Sequence, residues 1–273
     1  MRTGEWLAGR VALVTGGGGE IGGEIARLFA AEGAALVIAD TRLPAAEAVA
    51  ADIVGAGGRA IAVALDVSRA TDAKLAVQTA VRTFGKLTTL VNVAAAVTPD
   101  GTVETLTLED WTRALDVNLT GAFLMCKYAV PEIRRTGGGT IVNIASQLGQ
   151  IGVPGRAPYS TSKAALIQFT KCVAGDHAKD NIRVNSLSPG GVDTERTVRR
   201  WGSREAANRA RGPGHLLGRT GRPEEIAAGA LFLASEQSSF MTGADLLLDG
   251  GYLAFKGFVA PTSGNGARTD EEI

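Results

Sequence analysis

Apolar residues along this chain follow two alternating rhythms. Short apolar runs occur at 11–15, 35–39, 60–65, 89–92, 140–145, 182–187 and 245–248, and each predicts a buried strand. Longer stretches between them carry apolar residues at helical spacing and predict helices over 20–32, 44–55, 70–84, 108–134, 158–178 and 223–234. In the first, Ile21, Ile25, Leu28 and Phe29 fall on one face. Strands that are apolar on both sides, each followed by a helix, predict a parallel sheet covered on both faces. Right-handed crossovers make it a doubly wound α/β sheet of about seven strands. Two segments break the alternation. One is an Arg-rich stretch at 192–222. The other is a tail at 254–273 that ends polar and acidic, expected to be partly disordered or packed on a neighbouring subunit.

Length and composition narrow this picture. At 273 residues the chain fits one large domain, over 1–253, with a core large enough to need no disulfide staples. Lys plus Arg equals Asp plus Glu at 28 each, so bulk charge points to neither nucleic acid nor an anionic membrane. The first ten residues carry Glu5 and no long apolar run, and no stretch approaches the ~18 apolar residues of a membrane span. Cys126 and Cys172 are the two cysteines; with His177 and His215 they show no metal-ligand spacing. A reducing cytoplasm is the expected home, and no metal is expected. Glycine, at 36 residues, is about twice as frequent as usual, which directs attention to glycine-built turns.

One such turn joins the first strand to the first helix: Thr15-Gly16-Gly17-Gly18-Gly19-Glu20-Ile21-Gly22. Gly17, Gly19 and Gly22 have the G-x-G-x-x-G spacing, and a helix N-terminus stripped of side chains can cradle a phosphate. The alternative is a tight turn without ligand. Asp40 ends the second strand, where an acid bonds the ribose hydroxyls of a dinucleotide and repels a 2′-phosphate, so NAD is favoured over NADP. Arg42 beside it could soften that preference, and Asp40 could equally cap a helix. Asp66-Val67 follows the third strand at the same edge. There the carboxylate could bond an adenine amino group or cap the next helix.

Tyr159 and Lys163 lie four residues apart on a helix, so both project from one face. A nearby ammonium favours the phenolate; lowering a tyrosine from about 10 to about 7–8 takes roughly 3–4 kcal/mol. Alone this spacing is weak. Ser146 at the end of the fifth strand strengthens it, because ligands bind at strand C-termini in such sheets.

Together these residues make the chain resemble the classical short-chain dehydrogenase/reductase family. The matching residues are Thr15-Gly16 through Gly22, Asp66, Asn92-Val93-Ala94, Asn118, Ser146, Tyr159 through Lys163, Asn185, Pro189-Gly190, Thr194 and Asp249-Gly250-Gly251, spread over almost the whole chain. The resemblance implies a Rossmann-type fold and NAD-dependent interconversion of a secondary alcohol and a ketone. Tyr159 would be the general acid/base, with Lys163 on the nicotinamide ribose tuning it. Ser146 would hold the substrate oxygen, and Asn118 a relay water. Gly16, Gly19, Glu20, Ile21 and Gly22 would carry the pyrophosphate. Asp40, Asp66, Val67, Asn92 and Ala94 would line the dinucleotide site. Pro189, Gly190, Val192 and Thr194 would hold the nicotinamide, with Val192 and Thr194 gripping its carboxamide. A homotetramer built on helices 108–134 and 158–178 is implied in the same way.

This chain departs from the family pattern at Glu20, where a glycine is usual, at Ala95, and in its longer tail. In the family the 192–222 stretch is the substrate lid. Here it holds eight arginines from Arg196 to Arg222, which suggests either an anionic substrate or a solvated basic face. His215 and Trp201 are candidates to touch substrate, whereas Trp111 is expected to pack its helix and His177 to decorate a helix end. Two rival readings remain: an NADPH-dependent 3-oxoacyl carrier-protein reductase, which Asp40 opposes, and a dinucleotide-binding regulator without turnover. Nucleic-acid binding lacks the stacking aromatics that would accompany the arginines.

Overall fold

The computed structural model describes residues 5–96 and 98–254. Seven parallel strands form one sheet in the order β3-β2-β1-β4-β5-β6-β7. They are β1 Val11–Thr15, β2 Ala35–Asp40, β3 Arg59–Ala64, β4 Thr89–Asn92, β5 Gly139–Ile144, β6 Ile182–Pro189 and β7 Asp245–Leu248. The helices are α1 Glu20–Ala31, α2 Leu43–Gly55, α3 Ala70–Phe84, α4 Leu108–Leu115, α5 Gly121–Arg135, α6 Ala157–His177, α7 Glu195–Trp201, α8 Arg204–Arg211 and α9 Pro223–Ala234. The doubly wound architecture is therefore the expected one, and the predicted elements fall within two residues of the observed ones except in two places.

The pleat of β1 divides the core. Ala12 and Val14 of β1 join Ile25 and Phe29 of α1 and Ile226 and Leu233 of α9 on one face. Val11 and Leu13 face the other side, with Val77 of α3, Met125 and Ile133 of α5, and Val173 of α6. This two-residue alternation explains why β1, β2, β4 and β5 are buried at every position. β3, at the sheet edge, is only partly buried. Because all seven strands run parallel, their C-termini deliver Asp40, Asn92, Ser146 and Pro189 to one edge. The strand order reverses between β1 and β4, which opens a crevice there.

The first correction concerns 108–134. It is not one α-helix: Asp116–Thr120 forms a π-helical turn between α4 and α5. Periodicity cannot show this, because one extra residue leaves the apolar stripe nearly in phase. Trp111 is also more open than expected, 36% exposed, and does not lock the helix into the core. The second correction concerns 192–222, which contains α7 and α8. Both are short and highly polar, so neither had an apolar stripe to announce it. Of the tail at 254–273, only Ala254 lies within the described residues.

The Arg-rich segment is pinched at its base. Val192 and Gly221 form an isolated parallel bridge, with Gly221 N–H to the Gly191 carbonyl at 2.7 Å and Asp193 N–H to the Gly221 carbonyl at 2.8 Å. Its exit is tied to α9 by Glu225. That carboxylate takes Arg219 in bidentate fashion at 2.7 and 2.9 Å and accepts the Arg222 N–H at 2.8 Å. The Arg219 and Arg222 bonds hold the Glu225 carboxyl down at about 2, from an ordinary 4.5. A lowered folded-state value stabilises above the unfolded pKa, and the contribution disappears as pH falls toward about 2. Glu225→Gln should lower the melting temperature by about 2–4 °C at neutral pH, near 1 kcal/mol for a chain of this size. Melting scans from neutral pH downward should show the gap to wild type narrowing below about pH 4.5.

Candidate active site

The glycine turn is built by close approach. Gly16 has φ +63°, and a Cβ there would lie 2.9 Å from the Ala94 nitrogen. A Cβ at Gly22 would lie 2.3 Å from the Gly16 carbonyl oxygen. Thr15 Oγ1 accepts the N–H groups of Val93 and Ala94 at 3.1 and 3.2 Å, fastening the β1 and β4 exits together. The N–H groups of Glu20, Ile21 and Gly22 open α1 with no acceptor among the described residues. Such a donor set suits a pyrophosphate.

Asp40 is 8% exposed at the end of β2. Its carboxylate accepts Gly18 N–H at 3.0 Å and Arg42 N–H at 2.9 Å, so it both shapes the glycine turn and starts the turn into α2. Asp66 accepts the N–H and hydroxyl of Ser68 at 3.0 and 2.6 Å, ahead of α3. Both acids line a cavity of about 710 Å³ with Gly16, Val67, Ala94 and Val117. This donor set and cavity fit the adenosine half of a dinucleotide. Asn92, by contrast, is tied inside the sheet: its Nδ2 donates to Asn143 Oδ1 at 2.9 Å.

Across the switch point lies the second half of the site. Lys163 is 2% exposed and donates from Nζ to the Ile144 carbonyl at 2.6 Å. Its ammonium stands 5.8 Å from the centroid of the Tyr159 ring, and the Arg156 guanidinium stands 5.2 Å from it. Burial tends to raise the Tyr159 phenol, but Lys163, then Arg196, a hydrogen bond from Ser146, and Arg156 outweigh it, and the net shift is downward. Burial lowers Lys163, with Tyr159 opposing and Arg196 adding to the shift. Ser146, at the exit of β5, is 7% exposed and accepts Leu148 N–H at 3.1 Å.

Asn118 sits inside the π-helical turn and is 2% exposed. Its Oδ1 accepts Ala96 N–H at 2.7 Å and its Nδ2 donates to Ser162 Oγ at 2.9 Å, while the Ser162 hydroxyl donates to the Tyr159 carbonyl at 2.8 Å. Asn118 therefore braces α6 beside the Tyr159/Lys163 pair. Sequence reasoning did not anticipate Ser162 in this brace. It also missed Asn143 and Thr170, whose 2.9 Å bond ties β5 to α6. Their only sequence signal was polarity in otherwise apolar segments.

Pro189 and Gly190 end β6 and turn tightly, with Gly190 N–H on the Leu248 carbonyl at 2.8 Å. Val192 is buried, and Thr194 precedes α7 with its hydroxyl 3.1 Å from that of Thr197. His215 is a strut with both ring nitrogens engaged. It accepts Gly191 N–H at Nε2 at 3.0 Å, so Nδ1 donates to the Arg211 carbonyl at 2.9 Å. Trp201 is 41% exposed.

The carboxylate of Glu20 does not face the cradle. It accepts Glu195 N–H at the start of α7 at 2.5 Å and meets Arg204 of α8 at 3.4 Å. Arg204 also meets Asp193 at 3.0 Å and Glu195 at 3.3 Å. A second tie runs through Asp100, which bridges Arg156 (2.6 Å) and Arg200 of α7. The bonds from Arg200, then Arg156, hold the Asp100 carboxyl below its usual value.

A parallel sheet with a glycine-built phosphate cradle on one side of its switch point and Tyr159 beside buried Lys163 and Ser146 on the other defines a nucleotide-dependent oxidoreductase. Residues 18–253 match the family model described as enoyl-(acyl carrier protein) reductase. A 2,5-dichloro-2,5-cyclohexadiene-1,4-diol dehydrogenase of Sphingobium indicum is 40% identical over 246 residues, covering 90% of this chain and 97% of that protein. A trans-4-hydroxycyclohexanecarboxylate dehydrogenase of Sinomonas cyclohexanicum is 40% identical over 276 residues, covering 98% and 99%. Among solved structures, a short-chain type dehydrogenase/reductase from Mycobacterium marinum superposes with a TM-score of 0.82 at 35% identity, covering 90% of this chain and 96% of that one. This chain belongs to the short-chain dehydrogenase/reductase family. It is an oxidoreductase that interconverts a secondary alcohol and a ketone with a nicotinamide dinucleotide.

Replacing Glu20 by glycine, the usual family residue, removes one tie between the cradle and α7. Cleavage of the native enzyme by trypsin within 192–222 should speed up about 5–20-fold, the equivalent of roughly 1–2 kcal/mol of local stability. An unchanged cleavage rate would show that the Glu20 contacts do not hold the lid.

Proposed function

We propose that the protein is an NAD-dependent dehydrogenase of a small ring-bearing secondary alcohol. The observation that carries this reading is the buried Lys163 beside Tyr159, set across the switch point from an Asp40-lined cavity. In oxidation the Tyr159 phenolate removes the proton of the alcohol O–H. The Ser146 hydroxyl donates a hydrogen bond to the same oxygen as it becomes a carbonyl. Lys163 keeps the phenolate charged, and Asn118 fixes the helix that carries both. A bound nicotinamide dinucleotide would supply the hydride acceptor, and in the reverse direction every proton step at Tyr159 runs backward. The residues from Gly16 to Gly22 would hold the pyrophosphate, Asp40 the adenosine ribose, Asp66 and Val67 the adenine. Ala94 and the Asn92 backbone would line the floor, and Pro189 to Thr194 would hold the nicotinamide.

Asp40 supports NAD over NADPH, because a buried carboxylate repels a 2′-phosphate. That same repulsion disfavours an NADPH-dependent carrier-protein reductase. Two relatives are named for cyclohexadiene and cyclohexane alcohols, which supports a ring substrate; one of those names includes a carboxylate, and the basic lid supports an anionic group on the substrate here too. A homotetramer in the cytoplasm completes the reading. Leu108, Trp111 and Phe123 stand 78%, 36% and 45% exposed on α4 and α5, the surface such an assembly would cover.

The test is NAD⁺ reduction across cyclic secondary alcohols, with NADP⁺ compared on the best substrate. Tyr159→Phe should lower kcat about 10²–10⁴-fold. In wild type, kcat/KM for oxidation should rise with pH through a group below 10, because the phenolate is the base. Lys163→Ala should move that limb upward in pH. A Tyr159→Phe enzyme with undiminished turnover would sink the reading.

A further inference from the structure

The arginines of the lid are not equivalent. Arg200 and Arg204 are ion-paired with Asp100 and with Glu20, Asp193 and Glu195. Arg219 and Arg222 both engage Glu225. Arg196, Arg199 and Arg209 are exposed to solvent, whereas Arg211 is only partly so. Neither Arg196 nor Arg211 has a hydrogen-bond acceptor or a carboxylate within 4.0 Å of its guanidinium among the described residues, and of these two only Arg211 is shielded from solvent. Arg196 is felt electrostatically by Tyr159 and Lys163.

Arg211 is partly buried against the turn that follows β6. Its Nη2 lies 2.8 Å from where a Gly191 Cβ would stand, so a side chain there would displace the guanidinium from this position. His215 fixes both partners of this contact, through Gly191 N–H and the Arg211 carbonyl. The Tyr252 ring packs 5.3 Å from the His215 ring behind them. Burial, then the nearby charges of Arg196 and Arg200, push the Arg211 guanidinium down from its ordinary value. Several cations thus gather beside the catalytic tyrosine, and two of them lack a counterion. An unpaired, partly desolvated guanidinium such as that of Arg211 is costly, and a carboxylate accepting from it, with Arg196 as a second donor, relieves that cost.

We propose that Arg196 and Arg211 form a carboxylate-binding subsite, and that the alcohol oxidised at Tyr159 carries a carboxylate on its lid-facing side. This rests on the dehydrogenase reading, but its test need not. Cyclohexanecarboxylate has the ring and the anion without the alcohol, so it can bind but not react. Its affinity for the enzyme–NADH complex, followed by NADH fluorescence, is compared with that of uncharged cyclohexanecarboxamide. Wild type should prefer the acid. Arg211→Gln and Arg196→Gln should each reduce that preference about 10–100-fold. Arg211→Lys should keep part of it, which guards against a misfolded Gln variant, and Arg199→Gln and Arg209→Gln should leave it unchanged.

Equal affinity for acid and amide in wild type overturns the proposal. So does an undiminished preference in both Gln variants. A third overturning result is weaker NADH binding with the acid preference intact, which would assign the two arginines to the dinucleotide pyrophosphate. Turnover of neutral cyclic alcohols in the same preparation would keep the dehydrogenase reading standing in each case. An acid preference in an enzyme that turns over no alcohol would retain the subsite and remove that reading.

Discussion

Everything at the catalytic edge depends on keeping a protonated lysine almost out of water. Lys163 is 2% exposed, and desolvating an ammonium costs several kcal/mol unless neighbours compensate. The Ile144 carbonyl supplies one acceptor at 2.6 Å, and the charge of the Tyr159 phenolate favours the protonated form. Both compensations demand that α6 and the exit of β5 keep a fixed spacing. That explains a polar brace in an otherwise apolar interior: Asn118 to Ser162 to the Tyr159 backbone on one side, and Asn143 to Thr170 on the other. Each bond is ordinary in strength, but a slip of α6 would strand several buried polar groups at once.

The π-helical turn belongs to the same constraint. A regular helix through 116–120 would rotate Asn118 relative to α5, whose Met125 and Ile133 are locked in the core. One extra residue in the turn lets the apolar face stay buried while Asn118 points at α6. This local irregularity is bought for function, as π-turns inside longer helices often are.

The sequence made the architecture legible because physics over-determines it. Seven apolar runs separated by amphipathic helices admit few arrangements, and parallel strands place every exit at one edge. The candidate catalytic residues were legible through motif spacing. What stayed hidden were features without periodicity. Helices α7 and α8 have only seven and eight residues and few apolar side chains, so no periodic stripe marked them. The orientation of Glu20 was equally hidden, because its partners, Glu195 and Arg204, lie more than 170 residues away and a lone acid in a glycine loop gives no direction. His215 read as a substrate candidate because its two backbone partners cannot be seen in sequence.

Net charge misleads in the same way. The chain has zero formal charge, yet its acids are distributed so that Glu20, Asp100 and Glu225 pair with Arg204, Arg200, Arg219 and Arg222, while Arg196, close enough to be felt by Tyr159, and Arg211 have no such partner among the described residues. That imbalance has a catalytic consequence. Burial alone would raise the Tyr159 phenol and make it a poor base at neutral pH. The net shift is downward because Lys163 and Arg196 act together, and each in turn raises the cost of the other's charge. Tyrosine and lysine therefore titrate as one unit, and an anion settling on the nearby guanidiniums would weaken the pull that Arg196 exerts on the phenolate. A charged substrate would thus meet a base slightly stronger than the one the empty pocket holds.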